Sequence, residues 1–380
     1  MKRYCEPMIY NDLLKKMVFI GGPRQVGKTT LSKALCTDKF KGGEYLNWDN
    51  DQDRRAILKH EWLQASPLII FDEIHKYPRW KQWIKGVYDQ KSSEQQFLIT
   101  GSARLDTYKR GGDSLLGRYH YWRLHPLTID ELPAGMSAKE GLEKLLTLGG
   151  FPEPFLLGDM REAARWRRER FDRVIREDIR DLESIRNIEL LSLFIDALRE
   201  RVGGMITLAN IAADLQISPS TAKKWLSLIE KTYLAFAIYP LTKNIPRAIQ
   251  KPPKVFFYDN ADVVGDEGAR FENLVATTLL KRLHFLEDYY GDRANLHYIR
   301  DKDGREVDFV TVVNNKVIDL IEVKLSNSDI STSLKYYSEK LKPENTVQLV
   351  MNLSRSYNQG EILVTTPQEY FKNPPWKKLK

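Results

Sequence analysis

Residues 17–30 read MVFIGGPRQVGKTT. Four apolar residues, Met17 to Ile20, predict a buried strand that runs straight into Gly22-Pro23-Arg24-Gln25-Val26-Gly27-Lys28-Thr29, the G-x-x-x-x-G-K-[ST] pattern of a phosphate-binding loop. The glycines permit a backbone that turns successive N–H groups toward one polyphosphate. A helix expected from about Lys28 to Cys36 offers its N-terminus to the same anion. In this reading the cradle comprises Gly22, Pro23, Arg24, Gln25, Val26, Gly27, Lys28, Thr29 and Thr30. Lys28 reaches the β- and γ-phosphates of ATP, and Thr29 ligates Mg²⁺.

Working outward, Pro67-Leu68-Ile69-Ile70-Phe71-Asp72-Glu73 is an apolar run ending in two acids. Such a strand delivers carboxylates to the mouth of a parallel sheet. Asp72 is expected to hold Mg²⁺, and Glu73 to orient or deprotonate the attacking water. Phe97 to Ser102 is a third buried strand ending in hydroxyls. Thr100 and Ser102 both qualify as the group that senses the γ-phosphate, and the sequence does not choose between them. An arginine that offsets transition-state charge, from the same chain or a neighbour, is expected at Arg118, with Arg104 second. With Gly43 to Trp48 as a further strand, strands and helices alternate, which predicts a doubly wound α/β sheet over residues 1–123.

The chain has 380 residues, 42% hydrophobic and 29% charged, with a net charge of +8. That length favours two or three domains. Mild basicity points to an anionic partner, DNA by default, or is the ordinary surface of a soluble protein. No apolar run is long enough for a membrane span, and MKRYCEPMIYNDLLKK lacks the core of a signal peptide. Cys5 and Cys36 have no metal spacing. A reducing, cytoplasmic location without membrane contact is the expectation.

GPRQVGKTT, YLNWD, FDEIHKYPRW and TGSARLD together resemble a bacterial and archaeal family of AAA+ ATP-binding proteins whose C-terminal domain is nuclease-like and of unknown function. The resemblance extends over nearly the whole chain and implies an AAA+ fold and ATPase chemistry. AAA+ proteins often form rings, so a homo-oligomer in which a neighbour supplies the arginine is one implication.

Residues 124–200 read as a helical lid. Asp159 to Arg186 is densely charged, either a solvated helix laced with i,i+4 pairs or a lid whose arginines, Arg176 and Arg180 among them, meet ATP or DNA. Over 201–245, Leu208 to Leu215 is a short helix capped by Thr207. Gln216 to Ser218 is a turn, and a second helix runs from Pro219 to Leu234 with Ser218 as its cap. This spacing resembles a helix-turn-helix, and Ala235 to Leu241 reads as the strand of a wing. A winged helix after such a lid resembles the layout of replication-origin initiator ATPases. Ser218, Ser220, Thr221, Lys223 and Lys224 lie where a recognition helix meets the major groove, although such modules also serve for packing alone.

Residues 246–380 follow a Pro-rich link. A helix over 268–284 contains Glu272, strands carry Asp308 and Glu322-Val323-Lys324, and a helix and a strand complete the order α-β-β-β-α-β. That order, with E-x-K on the third strand, resembles the PD-(D/E)xK nuclease superfamily. Residues i and i+2 of a strand share a face, so Glu322 and Lys324 are expected to converge, with Asp308 coming from the adjacent strand across the hairpin; the resemblance implies Glu272 as the accessory acid that some of these nucleases carry. Asp308 and Glu322 would hold Mg²⁺ against a scissile phosphate, or the domain is a vestigial binding module. The reading is therefore a Mg²⁺-dependent ATPase acting on DNA, with a C-terminal nuclease site. The alternative is a regulatory ATPase with a protein partner and a silent C-terminal domain. A small-molecule kinase is a third, weaker fit, because it leaves the C-terminal half without a role.

Overall fold

The computed structural model describes residues 1–63, 65–101, 115–179, 187–242, 251–326 and 329–378. The chain forms two compact units, Met1–His125 with Lys231–Tyr233, and Pro126–Glu230 with Leu234–Lys380.

The first unit is built on five parallel strands: β1 (Met17–Gly21), β2 (Glu44–Asn47), β3 (Leu68–Asp72), β4 (Gln96–Thr100) and β5 (Tyr119–Arg123). Their order across the sheet is β2-β3-β4-β1-β5. Helices α1 (Glu6–Leu13), α2 (Lys28–Ala34), α3 (Asp51–Lys59) and α4 (Trp80–Gln90) accompany them. Every residue of β1, β3 and β4 is buried, as central parallel strands covered on both faces must be. Alternate residues Phe19, Phe71 and Phe97 pack with Trp62 and Trp80 into one core, and each large apolar side chain so buried contributes about 1.5–3 kcal/mol. Asn50 caps α3 by accepting from the N–H groups of Gln52 and Asp53.

The second unit begins with helices α5 (Ala138–Thr147), α6 (Pro152–Leu157), α7 (Met160–Arg173), α8 (Ile188–Arg199), α9 (Leu208–Asp214) and α10 (Pro219–Lys231). On the charged α7, Arg170 turns inward and is 2% exposed. It pairs with Asp262 at 3.3 Å and lies 4.0 Å from the ring centroid of Phe151. Arg176 lies in a π-helical turn, Val174–Ile179, and Arg180 lies outside the described residues.

Helices α9 and α10 are joined by a tight turn in which Gln216 takes a positive φ of 54°. Ser218 caps α10, accepting from the N–H of Thr221 at 3.1 Å. The expected side-chain cap from Thr207 does not form. The strand expected as a wing, β6 (Ala235–Pro240), pairs antiparallel with β7 (Lys254–Phe257). It also pairs in parallel with β8 (Ala294–Arg300) through Tyr239–His297 and Pro240–Tyr298. It is thereby an internal strand of an eight-stranded mixed sheet.

That sheet continues with β9 (Glu306–Val313), β10 (Lys316–Ser326), β11 (Asn345–Asn352), β12 (Tyr357–Gln359) and β13 (Ile362–Thr365), in the order β12-β13-β11-β10-β9-β8-β6-β7. Asn314 and Asn315, both at positive φ, turn β9 into β10. Helix α11 (Glu267–Phe285), capped by Asp266, packs on the sheet, and α12 (Thr332–Leu341) follows β10. The fold is thus α/β: a five-stranded parallel sheet, a helical region and a C-terminal mixed sheet. No helix among the described residues is long and apolar enough to cross a membrane.

Candidate functional site

The phosphate-binding loop leaves β1 at Gly22, whose φ is 139°. A Cβ there would meet the carbonyl oxygen of Leu124 at 2.3 Å, so only glycine fits. Gln25 at φ 65° and Gly27 at φ 99° complete the turn into α2. Arg3 is buried and ties the loop from outside, donating to the carbonyl oxygens of Val26 at 2.9 Å and His125 at 2.5 Å. Lys28 is 8% exposed, and its Nζ donates to the carbonyl oxygens of Gly22 at 3.0 Å and Pro23 at 2.7 Å. The ammonium is held at the inside of the loop it serves. Arg24 is partly buried and Thr30 exposed.

Parallel register brings the other groups to this mouth. Asp72 ends β3 opposite Thr100 of β4 and Asn47 of β2. Its carboxylate accepts from Thr100 Oγ1 at 2.5 Å and from Thr29 Oγ1 at 3.1 Å. A third donor, the Tyr45 hydroxyl, also bonds Asp72. Tyr45 lies two residues before Asn47 and so shares the face of Asp72. All three donors are neutral hydroxyls. They orient the carboxylate and leave its charge in place.

Glu73 follows in the left-handed region, at φ 57°, with its N–H bonded to the Thr100 carbonyl at 2.9 Å. Its Oε2 is buried and accepts no hydrogen bond. His75 Nε2 lies 3.5 Å from it and the Lys76 ammonium 3.7 Å. Burial raises the Glu73 carboxyl above its ordinary value, Lys28 opposes this, and Asp72 adds to it. A carboxylate made more basic in this way is better matched to take a proton near neutral pH.

Thr29 and Asp72 fit a nucleotide-bound Mg²⁺, which takes one or two protein ligands and completes its shell with phosphates and water, and the unbonded Glu73 oxygen remains for that water. Arg118 does not join them. It precedes β5, at the edge where the strands begin, and forms a two-pronged pair with Asp89 at 2.8 and 3.1 Å. The parallel register (Met17 beside Tyr119, Gly21 beside Arg123) puts the phosphate loop at the opposite edge. Ser102 and Arg104 lie outside the described residues.

The C-terminal residues also converge. Glu322 and Lys324 share a face of β10 and pair at 2.8 Å. Asp308 Oδ2 accepts from the Val323 N–H at 2.9 Å. Glu272 faces them from α11; burial, then Asp308, pushes it up to about 8. Glu322 is pushed up to about 7 by burial and Asp308. Sequence reasoning missed the residue among them, Lys254, which is 1% exposed. Its Nζ lies 2.6 Å from Glu306, 3.3 Å from Glu272 and 3.6 Å from Asp308. Among the described residues no group of three His, Cys, Asp or Glu is arranged to hold a metal ion.

The phosphate loop and its acids define the class of the first unit, and sequence comparison agrees. Residues 14–133 match an AAA domain, residues 139–262 a domain of unknown function (DUF8612), and residues 267–369 another (DUF4143). The chain thus carries an AAA domain followed by two domains whose function is unassigned, and an AAA domain implies ATP, typically with Mg²⁺. Similar proteins include the uncharacterized proteins Rv2008c of Mycobacterium tuberculosis and Mb2031c of Mycobacterium bovis. Each is 26% identical over 247 residues, covering 64% of this chain and 54% of the relative. The uncharacterized protein MJ1544 of Methanocaldococcus jannaschii is 25% identical over 363 residues, covering 86% of this chain and 79% of the relative. The chain spans about half the length of the two mycobacterial proteins. The eight-stranded sheet and the Lys254 cluster each draw residues from both matched domains of unknown function.

Proposed function

We propose that the protein is a Mg²⁺-dependent ATPase whose turnover is coupled to DNA contact by the α9–α10 helix pair. The observation that supports hydrolysis best is the Asp72 carboxylate, aimed by three neutral hydroxyls beside the phosphate loop. Mg²⁺ would neutralise phosphate charge and be held by Thr29 and Asp72. Lys28 binds the β- and γ-phosphates, Thr100 fixes Asp72, and Glu73 takes the proton of the attacking water. Catalysis of this kind is positioning and electrostatics.

For DNA, the support is the net charge and the exposed Lys223 and Lys224 in the first turns of α10. One observation favours the regulatory, protein-contacting reading instead. Lys223, Ser227 and Glu230 line one concavity with Thr207 and Tyr239, and a carboxyl on that face opposes phosphate. Turnover measured with and without duplex, single-stranded and branched DNA decides between them. Stimulation that fades steeply with salt is the expected result. Turnover indifferent to every DNA transfers the reading to a protein partner.

A further inference from the structure

We propose that the carboxylate cluster of the C-terminal sheet carries its own cation: the Lys254 ammonium holds Glu272, Glu306 and Asp308 together in place of a divalent metal, and the centre takes no catalytic metal ion. This goes beyond the ATPase reading and is independent of it.

The geometry puts a fixed cation where a metal would have to sit. Lys254 Nζ reaches three carboxylates within 3.6 Å. Most of the remaining oxygens are also engaged: Asp308 Oδ2 by the Val323 N–H, Glu322 Oε1 by Lys324, and Glu306 by Arg300 at 2.7 Å, while Glu322 Oε2 is buried and accepts no hydrogen bond. Mg²⁺ requires near-octahedral oxygen ligands at about 2.0–2.1 Å, and here it would sit against a fixed positive charge. Lys254 is anchored at its backbone. Its backbone pairs with Ile238 on one side and bridges to Met205 on the other. The Tyr298 ring lies 5.7 Å from its Nζ. The cluster is also roofed: a Cβ on Gly203 would meet Glu272 Oε2 at 2.5 Å, so backbone lies directly on that carboxyl.

The experiment titrates the nucleotide-free full chain with MnCl₂ and reads free Mn²⁺ by electron paramagnetic resonance. Wild type and Asp308→Asn are expected to bind Mn²⁺ identically. Lys254→Met is expected to gain one equivalent, with a Mn²⁺-dependent rise in melting temperature, and to lose both when Asp308→Asn is added. Wild-type binding that falls by one equivalent in Asp308→Asn overturns the proposal. So does a Lys254→Met protein with the wild-type circular dichroism spectrum and no gain. If Lys254→Met does not fold, wild type against Asp308→Asn decides alone: equal binding supports the built-in cation and loss refutes it. ATP turnover is untouched by either outcome.

Discussion

Asp72 and Asp308 each sit on a strand, each beside a glutamate two or fewer positions away in sequence, and each with hydrogen-bond donors around its carboxylate. The donors differ in kind. Around Asp72 they are the hydroxyls of Tyr45, Thr29 and Thr100. Around Asp308 the donor is a backbone amide, and the Lys254 ammonium stands 3.6 Å away as an ion-pair partner. A hydroxyl orients a carboxylate and leaves its charge available to an incoming cation. An ammonium orients it and cancels that charge. Two centres rich in acids can therefore have opposite appetites for metal, and the count of carboxylates alone does not separate them.

The sharpest way to break this contrast is at the first centre. Glu73→Gln is expected to retain ATP in equilibrium dialysis and lose roughly 10²–10⁴-fold in turnover. Unchanged turnover would remove Glu73 as the base. At the second centre the expected effect is on stability. Removing one partner of a buried pair costs about 3–5 kcal/mol, so Lys254→Met should lower the urea midpoint strongly. A midpoint within error of wild type would mean the cluster does not rely on the ammonium.

Glu272 gives a finer test. Its folded value of about 8 lies above the ordinary 4.5, so its contribution to stability is full below about pH 4.5 and is lost as pH rises through 8. Melting temperature should fall across that window, and Glu272→Gln should flatten the slope. An unchanged slope would place the titration elsewhere. The smallest effect is expected at Tyr45→Phe. Loss of one net hydrogen bond, about 1 kcal/mol, should raise the Mg²⁺ concentration needed for half-maximal turnover several-fold and leave the fold intact. No change in that requirement would make Tyr45 a mere neighbour of Asp72.

What could be read from the sequence was local. The phosphate loop is one contiguous backbone turn, and the Asp72–Glu73 pair marks the end of an apolar run. Both are written within ten residues. The shared face of Glu322 and Lys324 on β10 follows from the two-residue period of a strand, whereas Glu272 came only through the resemblance to nucleases. Tyr45, Arg3 and Lys254 were not legible, because their roles arise from register and packing between distant segments. Lys254 reads as an ordinary residue at the start of a strand until Glu272, Glu306 and Asp308 are folded around it. Arg118 shows the converse. It was expected to act from the same chain or from a neighbour, and the start of β5 lies at the sheet edge away from its own chain's phosphate loop, which bears on the first option alone. The strand read as a wing hid its second partner, β8, for the same reason.

The pairing of β6 with β8 bears on ancestry. Residues 139–262 and 267–369 match separate domain families, yet Tyr239 and Pro240 of the first lie in one ladder with His297 and Tyr298 of the second. Asn273 of the second also bonds both the N–H and the carbonyl of Phe257 in the first. A lineage that lost either segment would leave the other with an open strand edge, a template for aggregation. The two matched segments therefore complete one sheet between them, and a break in the chain ahead of residue 139 leaves that sheet whole.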